Sequence, residues 1–429
     1  MGLPITTTAS ISVPAANSFG ATVLQPQSDT NNSTGNGSCP FVASTHATDA
    51  TPQWAPGASA APLGVLTKLE NRTFTGRGFN TIFRPHSTTS PTPLKITPVL
   101  PQGFIPDNIL QLNITHETQV FAPGLGDVPN RGLMKQQDID LNGVPYTQTI
   151  YDITEPEPKP PVIHFEPGLW MHVPETTIPK LKTSLARMAS IPHGTTINAQ
   201  CFSDPSFSVG APTIPTVSIT PFTINGKNPI TFPSQTAKDP GTFRLPQDLD
   251  PFVKAQTITQ EMINDPNVVL KNANKGKDIV EHTSYSITTQ TQAPNFGGGT
   301  SNIGFLIGDK QQNLELPSRA NANAVKMEAQ YWISTVRTKI RLEPWKEGPS
   351  TAEPCRHFSP LPIRDGEEVP VFEVRFAIPA AKTVSVTYTQ LQYSQNVILD
   401  FAQLSWPHVT VGTLVQTSPT VLPASILNQ

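Results

Sequence analysis

Apolar and polar positions alternate with a period of two along much of this chain, which is the signature of strands with one face buried. The pattern predicts strands at Leu110 to Phe121, Val144 to Asp152, Val162 to Val173, Ala186 to Cys201, Glu281 to Thr291 and Lys326 to Val336. Further segments follow at Val371 to Ile378, Thr383 to Tyr393 and Val397 to Leu404. Pro, Gly or Asn bounds most of them, as strand ends require. Thr73 to Phe83 reads as an earlier strand with Gly76 and Gly78 at points of close backbone packing. A final run, Ser405 to Leu414, places Trp406, His408, Thr410, Gly412 and Leu414 on one face and Val409 and Val411 on the other. Helical spacing is clearest at Thr259 to Ala273, where Thr259 is a capping residue and Asp265-Pro266 splits the segment. A short helix is expected at Leu63 to Leu66.

Roughly ten strands and at least one helix suffice for a closed barrel or a sandwich. The 46 prolines and 27 glycines among 429 residues agree, since they interrupt long helices and favour edges and turns. Residues 1–60 are rich in Thr, Ser, Ala and Pro without periodicity and read as a flexible tail. A single domain is expected over 61–415, with long insertions at about 204–280 and 341–368, and a C-terminal tail at 416–429.

A formal charge of −3 with no basic run argues against nucleic acid as a partner. No apolar window is long enough to span a bilayer, and the first residues lack a secretion signal's charged start and apolar core, so a cytoplasmic protein is expected. Cys39, Cys201 and Cys355 are widely spaced and read as reduced thiols. P-loop, GxSxG, GxGxxG and HExxH motifs are missing, which removes the usual support for NTPase, hydrolase, nicotinamide and zincin chemistry.

The candidate chemistry lies with the histidines. His408 shares a strand face with Trp406, and a neutral imidazole beside an aromatic wall suits a flat iron macrocycle. His193 stands in a similar Ser-Ile-Pro-His frame and is the candidate for acid-base work, although its Gly194 also fits a plain turn. His164 and Glu166 alternate onto one face, and with a third His they would make a non-haem iron site. Trp170, Arg187 and Trp332 are candidates for lining a pocket or meeting a ligand's carboxylates, with packing the simpler role for each.

Three stretches in this order, Gly76-Arg77-Gly78-Phe79-Asn80-Thr81-Ile82, Val162-Ile163-His164-Phe165-Glu166-Pro167-Gly168-Leu169-Trp170, and Tyr331 through Leu414 with its closing Pro407-His408, resemble the nitrobindin group of haem-binding calycin barrels. The resemblance covers about half of the globular part. Phe74 stands where the family's first strand usually has Trp, and residues 204–280 and 341–368 have no counterpart. It implies an all-β, calycin or lipocalin-like antiparallel barrel, haem b as cofactor and His408 as its axial ligand. The implied activity is peroxidase-like or peroxynitrite isomerase-like conversion of peroxide or reactive nitrogen species. Two alternatives come from the residues themselves: a metal-free lipocalin-like carrier or cyclase/isomerase for a small apolar metabolite, and the His164/Glu166 iron enzyme.

Overall fold

The structure is a computed structural model that describes residues 61–86, 99, 102, 108–178, 180–192, 194–224, 228–291, 297–303, 322–346 and 355–429. The chain divides into two units, Met1–Ala43 and Ser44–Gln429, and every described residue belongs to the second. Ten antiparallel strands of that unit form a closed barrel. In chain order they are β1 (Thr73–Arg84), β2 (Ile109–Phe121), β3 (Ile139–Asp152), β4 (Val162–Val173), β5 (Ser184–Ile191), β6 (Thr195–Cys201), β7 (Asp278–Thr288), β8 (Asn323–Leu342), β9 (Lys382–Phe401) and β10 (Leu404–Gln416). Each pairs with the next, and β10 returns to β1, so the sheet has no open edge at its seam. An all-β barrel is therefore what the alternation encodes.

The seam explains two glycines. A Cβ on Gly76 would lie 2.0 Å from the Thr413 carbonyl oxygen, and one on Gly78 would lie 2.1 Å from that of Val411. Backbone cannot yield as a side chain can, so strands β1 and β10 approach this closely only because both positions lack a side chain. Gly78→Ala is expected to lower stability by roughly 1–3 kcal/mol, the usual range for overpacking, read as a lower midpoint in urea unfolding.

One end of the barrel is closed by a single 3-10 turn, Gly64–Lys68, whose Leu66 is buried with Phe74, Phe121 and Trp170. At the opposite end stand the β9–β10 hairpin and the turn joining β5 to β6. That hairpin turns at Ala402 and Gln403, both with positive φ. The 20-residue β9 runs unbroken through Ser394-Gln395-Asn396, where two strands were expected. Those polar residues do not end the strand because Gln395 finds a partner inside the barrel, described below. The Ala186 to Cys201 segment is two strands, since the first ends at Ile191 and Gly194, with φ of +94°, precedes the second.

The excursion between β6 and β7 wraps the outer wall. It pairs Phe222–Thr223 with the start of β10 and Arg244–Leu245 with the start of β2. Its helices, α1 (Asp250–Lys254), α2 (Gln260–Asn264) and α3 (Val268–Asn274), press Ile258, Ile263 and Leu270 into a second apolar cluster with Phe79, Phe83, Val409 and Val411. Thr259 caps α2 through the Met262 amide, and Asp265-Pro266 separates α2 from α3 as the sequence indicated. A third cluster joins the β8–β9 connection to the residues after β10. The segment expected as a C-terminal tail, 416–429, contributes Thr420–Val421, paired with Phe372–Val374, and buries Leu422 and Ile426.

Candidate functional site

The lumen holds an apolar cluster, and a belt of buried polar side chains crosses it. On β2 the inward positions are Asn113, Thr115, Glu117 and Gln119, all buried. Gln148 on β3 and Glu166 on β4 stand beside them in register, followed by Arg187 on β5 and Tyr331, Tyr393 and Gln395 on β8 and β9. Most of these side chains fall into two hydrogen-bonded groups inside the sheet, one around Glu117 with Gln119, Gln148 and Tyr393, the other around Glu166 and Arg187 with Tyr331 and Gln395.

Arg187 is its cationic member. Its guanidinium donates to a Glu166 oxygen, to Tyr146 Oη at 2.7 Å, to Tyr331 Oη and to Gln395 Oε1 at 2.7 Å. Glu166 also accepts from the Tyr146 hydroxyl, and its other oxygen lies 3.1 Å from His164 Nε2. Burial alone would raise the Glu166 carboxyl, but the Arg187 guanidinium and the bonds from His164 and Tyr146 outweigh it and hold the group at about 2. Glu166 is thus a fixed anion.

Glu117 is the opposite case. It accepts from Tyr393 Oη at 2.6 Å and from Gln119 and Gln148 Nε2 at 2.7 Å each. No cation bonds to it among these contacts. Burial pushes its carboxyl up, against the pull of those three hydrogen bonds. Two buried carboxylates, with Gln148 opposite Glu166 in register and bonded to Glu117, therefore differ in basicity, the usual sign of distinct roles.

His408 lies on the lumen face of β10, half-buried, next to Val397 in register and then Met327. Its Nε2 is 2.8 Å from Asn80 Nδ2, whose amide also donates to Thr410 Oγ1 at 2.8 Å. With the Asn80 amide nitrogen as the donor of both contacts, His408 Nε2 is the acceptor of the first. Two buried atoms at this end, Asn113 Oδ1 and Thr115 Oγ1, have no protein hydrogen-bond partner.

Trp406 does not accompany His408. Its indole stacks on Phe401, with ring centroids 4.7 Å apart, donates to the Phe401 carbonyl and packs with Phe83 and Phe232 in the outer cluster. Trp332 is buried in that cluster as well, whereas Trp170 is in the lumen beside Arg187. His193 and Cys39 lie outside the described residues. His164 and Glu166 meet as a hydrogen-bonded pair, and both Glu166 oxygens are already engaged. No known family model, characterised protein or solved structure matches this chain.

The sequence reading missed Glu117, Tyr146, Tyr331, Tyr393 and Asn80. A signal was present in β2, where Asn113, Thr115, Glu117 and Gln119 put a polar residue at every second position, but that pattern ordinarily marks a solvent face. Among the described residues one further group has metal-ligand geometry, Cys355, His357 and Glu373. Cys355 is disulfide-bonded, which corrects the expectation of a reduced thiol and leaves no thiolate to ligate a metal. Cys201 is a free, buried thiol. No helix among the described residues is long and apolar enough to cross a membrane.

Proposed function

We propose that the barrel binds haem b, or a similarly flat apolar ligand, at the end of the lumen that holds His408. The carrying observation is the His408 imidazole on the closing strand, with its Nε2 held by the Asn80 side-chain amide. Around this level the lumen is lined by Ala189, Ile191, Ile197, Ala329, Met327 and Val397, short or flexible apolar side chains. The resemblance to nitrobindins supports the same residue. The donor chemistry fits an axial ligand, with one exchange required: Asn80 must release Nε2. Haem would supply an iron centre for peroxide or reactive-nitrogen conversion. The protein's part is to present Nε2, to exclude water with the apolar walls, and to keep Glu166 ionised behind Arg187.

Haem titration of the purified protein tests this. A Soret band is expected in the wild type and its loss or displacement in His408→Ala. Asn80→Val removes a competing hydrogen bond worth about 1 kcal/mol, so several-fold tighter binding is expected. No band, or one unchanged in His408→Ala, overturns the reading.

The Asn80–His408–Thr410 arrangement is already satisfied without a metal, which favours a second reading, a metal-free carrier or cyclase/isomerase for a small apolar metabolite. In that case iron is absent by elemental analysis and binding of an apolar probe survives His408→Ala. A cytoplasmic location goes with either reading; the Cys355 disulfide is the feature that bears against it, since cytosolic thiol pools keep such bonds reduced.

A further inference from the structure

Four of the six tyrosines, Tyr146, Tyr285, Tyr331 and Tyr393, are buried in the lumen cluster together with Trp170. Three of them form a stack. Tyr285 and Tyr331 have centroids 5.3 Å apart at 12°, and Tyr331 and Tyr393 have centroids 5.9 Å apart at 26°. Trp170 meets Tyr285 and Tyr331 edge-on at 5.7 and 5.0 Å. Such contacts give a continuous path for an electron across the lumen.

The end of that stack is wired for a proton. Tyr393 Oη donates to Glu117 Oε2 at 2.6 Å and accepts from Gln148 Nε2 at 3.1 Å, so its hydrogen has one direction to go. Gly412 makes the pairing possible: a Cβ there would stand 2.7 Å from the Tyr393 ring and 3.1 Å from Glu117 Oε2. The other groups facing the pair are His164 from β4 and Tyr331 and Arg187 from β8 and β5. We propose that Tyr393 is redox-active: a one-electron oxidant removes an electron from the stacked rings while the Tyr393 hydroxyl proton moves to the Glu117 carboxylate.

The step balances. The O–H bond of Tyr393 breaks and an O–H bond to Glu117 forms; the tyrosine becomes a neutral phenoxyl radical, Glu117 becomes a carboxylic acid, and the oxidant gains one electron. Burial raises the tyrosine's own acidity threshold far above neutral, so the proton leaves only when the electron does. The same burial makes Glu117 a better base than a surface carboxylate. The arrangement does not depend on haem, and gives an oxidant formed or admitted in the lumen a protein electron source.

The test uses the haem-free protein and a photochemical one-electron oxidant, excited tris-bipyridyl ruthenium with persulfate, followed by freezing and electron paramagnetic resonance. A tyrosyl radical is expected in the wild type and in Tyr151→Phe. Its yield is expected to fall several-fold in Tyr393→Phe, which keeps the ring and the stack, and in Glu117→Gln, which keeps the shape but removes the proton acceptor. Matching circular dichroism spectra show that each variant is folded, and Glu117→Met, which also lacks the carboxylate, stands in for Glu117→Gln where it is not. Equal yields in wild type and Tyr393→Phe overturn the assignment. A full yield in the folded Glu117 variant overturns the proton's route. Neither result touches the Soret experiment, so the two proposals fail separately.

Discussion

Arg187→Met is expected to destabilise the barrel by about 3–5 kcal/mol, measured by urea unfolding, because it strands Glu166 as a buried anion. Arg187 and Glu166 are both almost wholly buried, and the tyrosines and Gln395 around them are oriented by the guanidinium. Glu166→Gln is expected to cost a similar amount by stranding the cation. The double variant Arg187→Met with Glu166→Gln should be less damaging than the two single costs combined, since no bare charge remains. Additive losses would show that the pair is not coupled. The same pair fixes an acid limit. Glu166 is held at about 2, below its ordinary 4.5, so its contribution is complete above pH of about 4.5 and is lost as pH falls toward 2. That loss amounts to about 3 kcal/mol. Glu117 works with the opposite sign: its raised carboxyl favours the folded state at low pH and loses that contribution as pH rises. Wild type should therefore lose stability on acidification more steeply than Glu166→Gln, and Glu117→Gln more steeply than wild type.

Arg244→Met is the second large effect, and it acts on the outer wall. The Arg244 side chain is fully buried and has no carboxylate partner within hydrogen-bond distance; its nitrogens donate instead to the carbonyls of Ser234, Thr236, Asp239, Pro246 and Gln247. Burial lowers it to about 10, which still leaves it charged at neutral pH. One guanidinium thus supplies the donors that the loop between residues 233 and 247 cannot find within a helix or sheet. Without it the Ser234, Pro246 and Gln247 carbonyls lose this donor, at 1–3 kcal/mol for each one that water fails to reach, so a loss of roughly 3 kcal/mol or more is expected. Limited proteolysis should locate the damage within 202–277 while β1–β10 remain protected. Cleavage spread over the barrel strands would contradict a local role.

Strand existence was legible because most outer-face and core positions alternate as a barrel requires, and the capping Thr259 and the Asp265-Pro266 break placed the helices. The lumen was not legible. Asn113, Thr115, Glu117 and Gln119 look like a solvent face, and nothing local shows that Arg187, some seventy residues on, turns the same way inside a closed sheet. Trp406 misled in another manner, since strict alternation put it beside His408, while the tight turn at Ala402 and Gln403 lets its ring fold over Phe401 instead. Arg244 carried no signal at all, because its partners are backbone carbonyls, which every residue has.

The pairing of β1 with β10 also sets a timetable. Those strands are separated by more than three hundred residues, so the seam has the highest contact order of any pairing in the barrel. During synthesis β1 emerges first of the ten strands and its partner last, and β1 must wait with one edge bare. The Gly76-Arg77-Gly78 stretch, weak as an isolated strand, makes that waiting edge a poor template for the wrong neighbour. Were a ligand held through His408, as proposed, it would enter only a finished barrel, and its loading would follow translation rather than guide it.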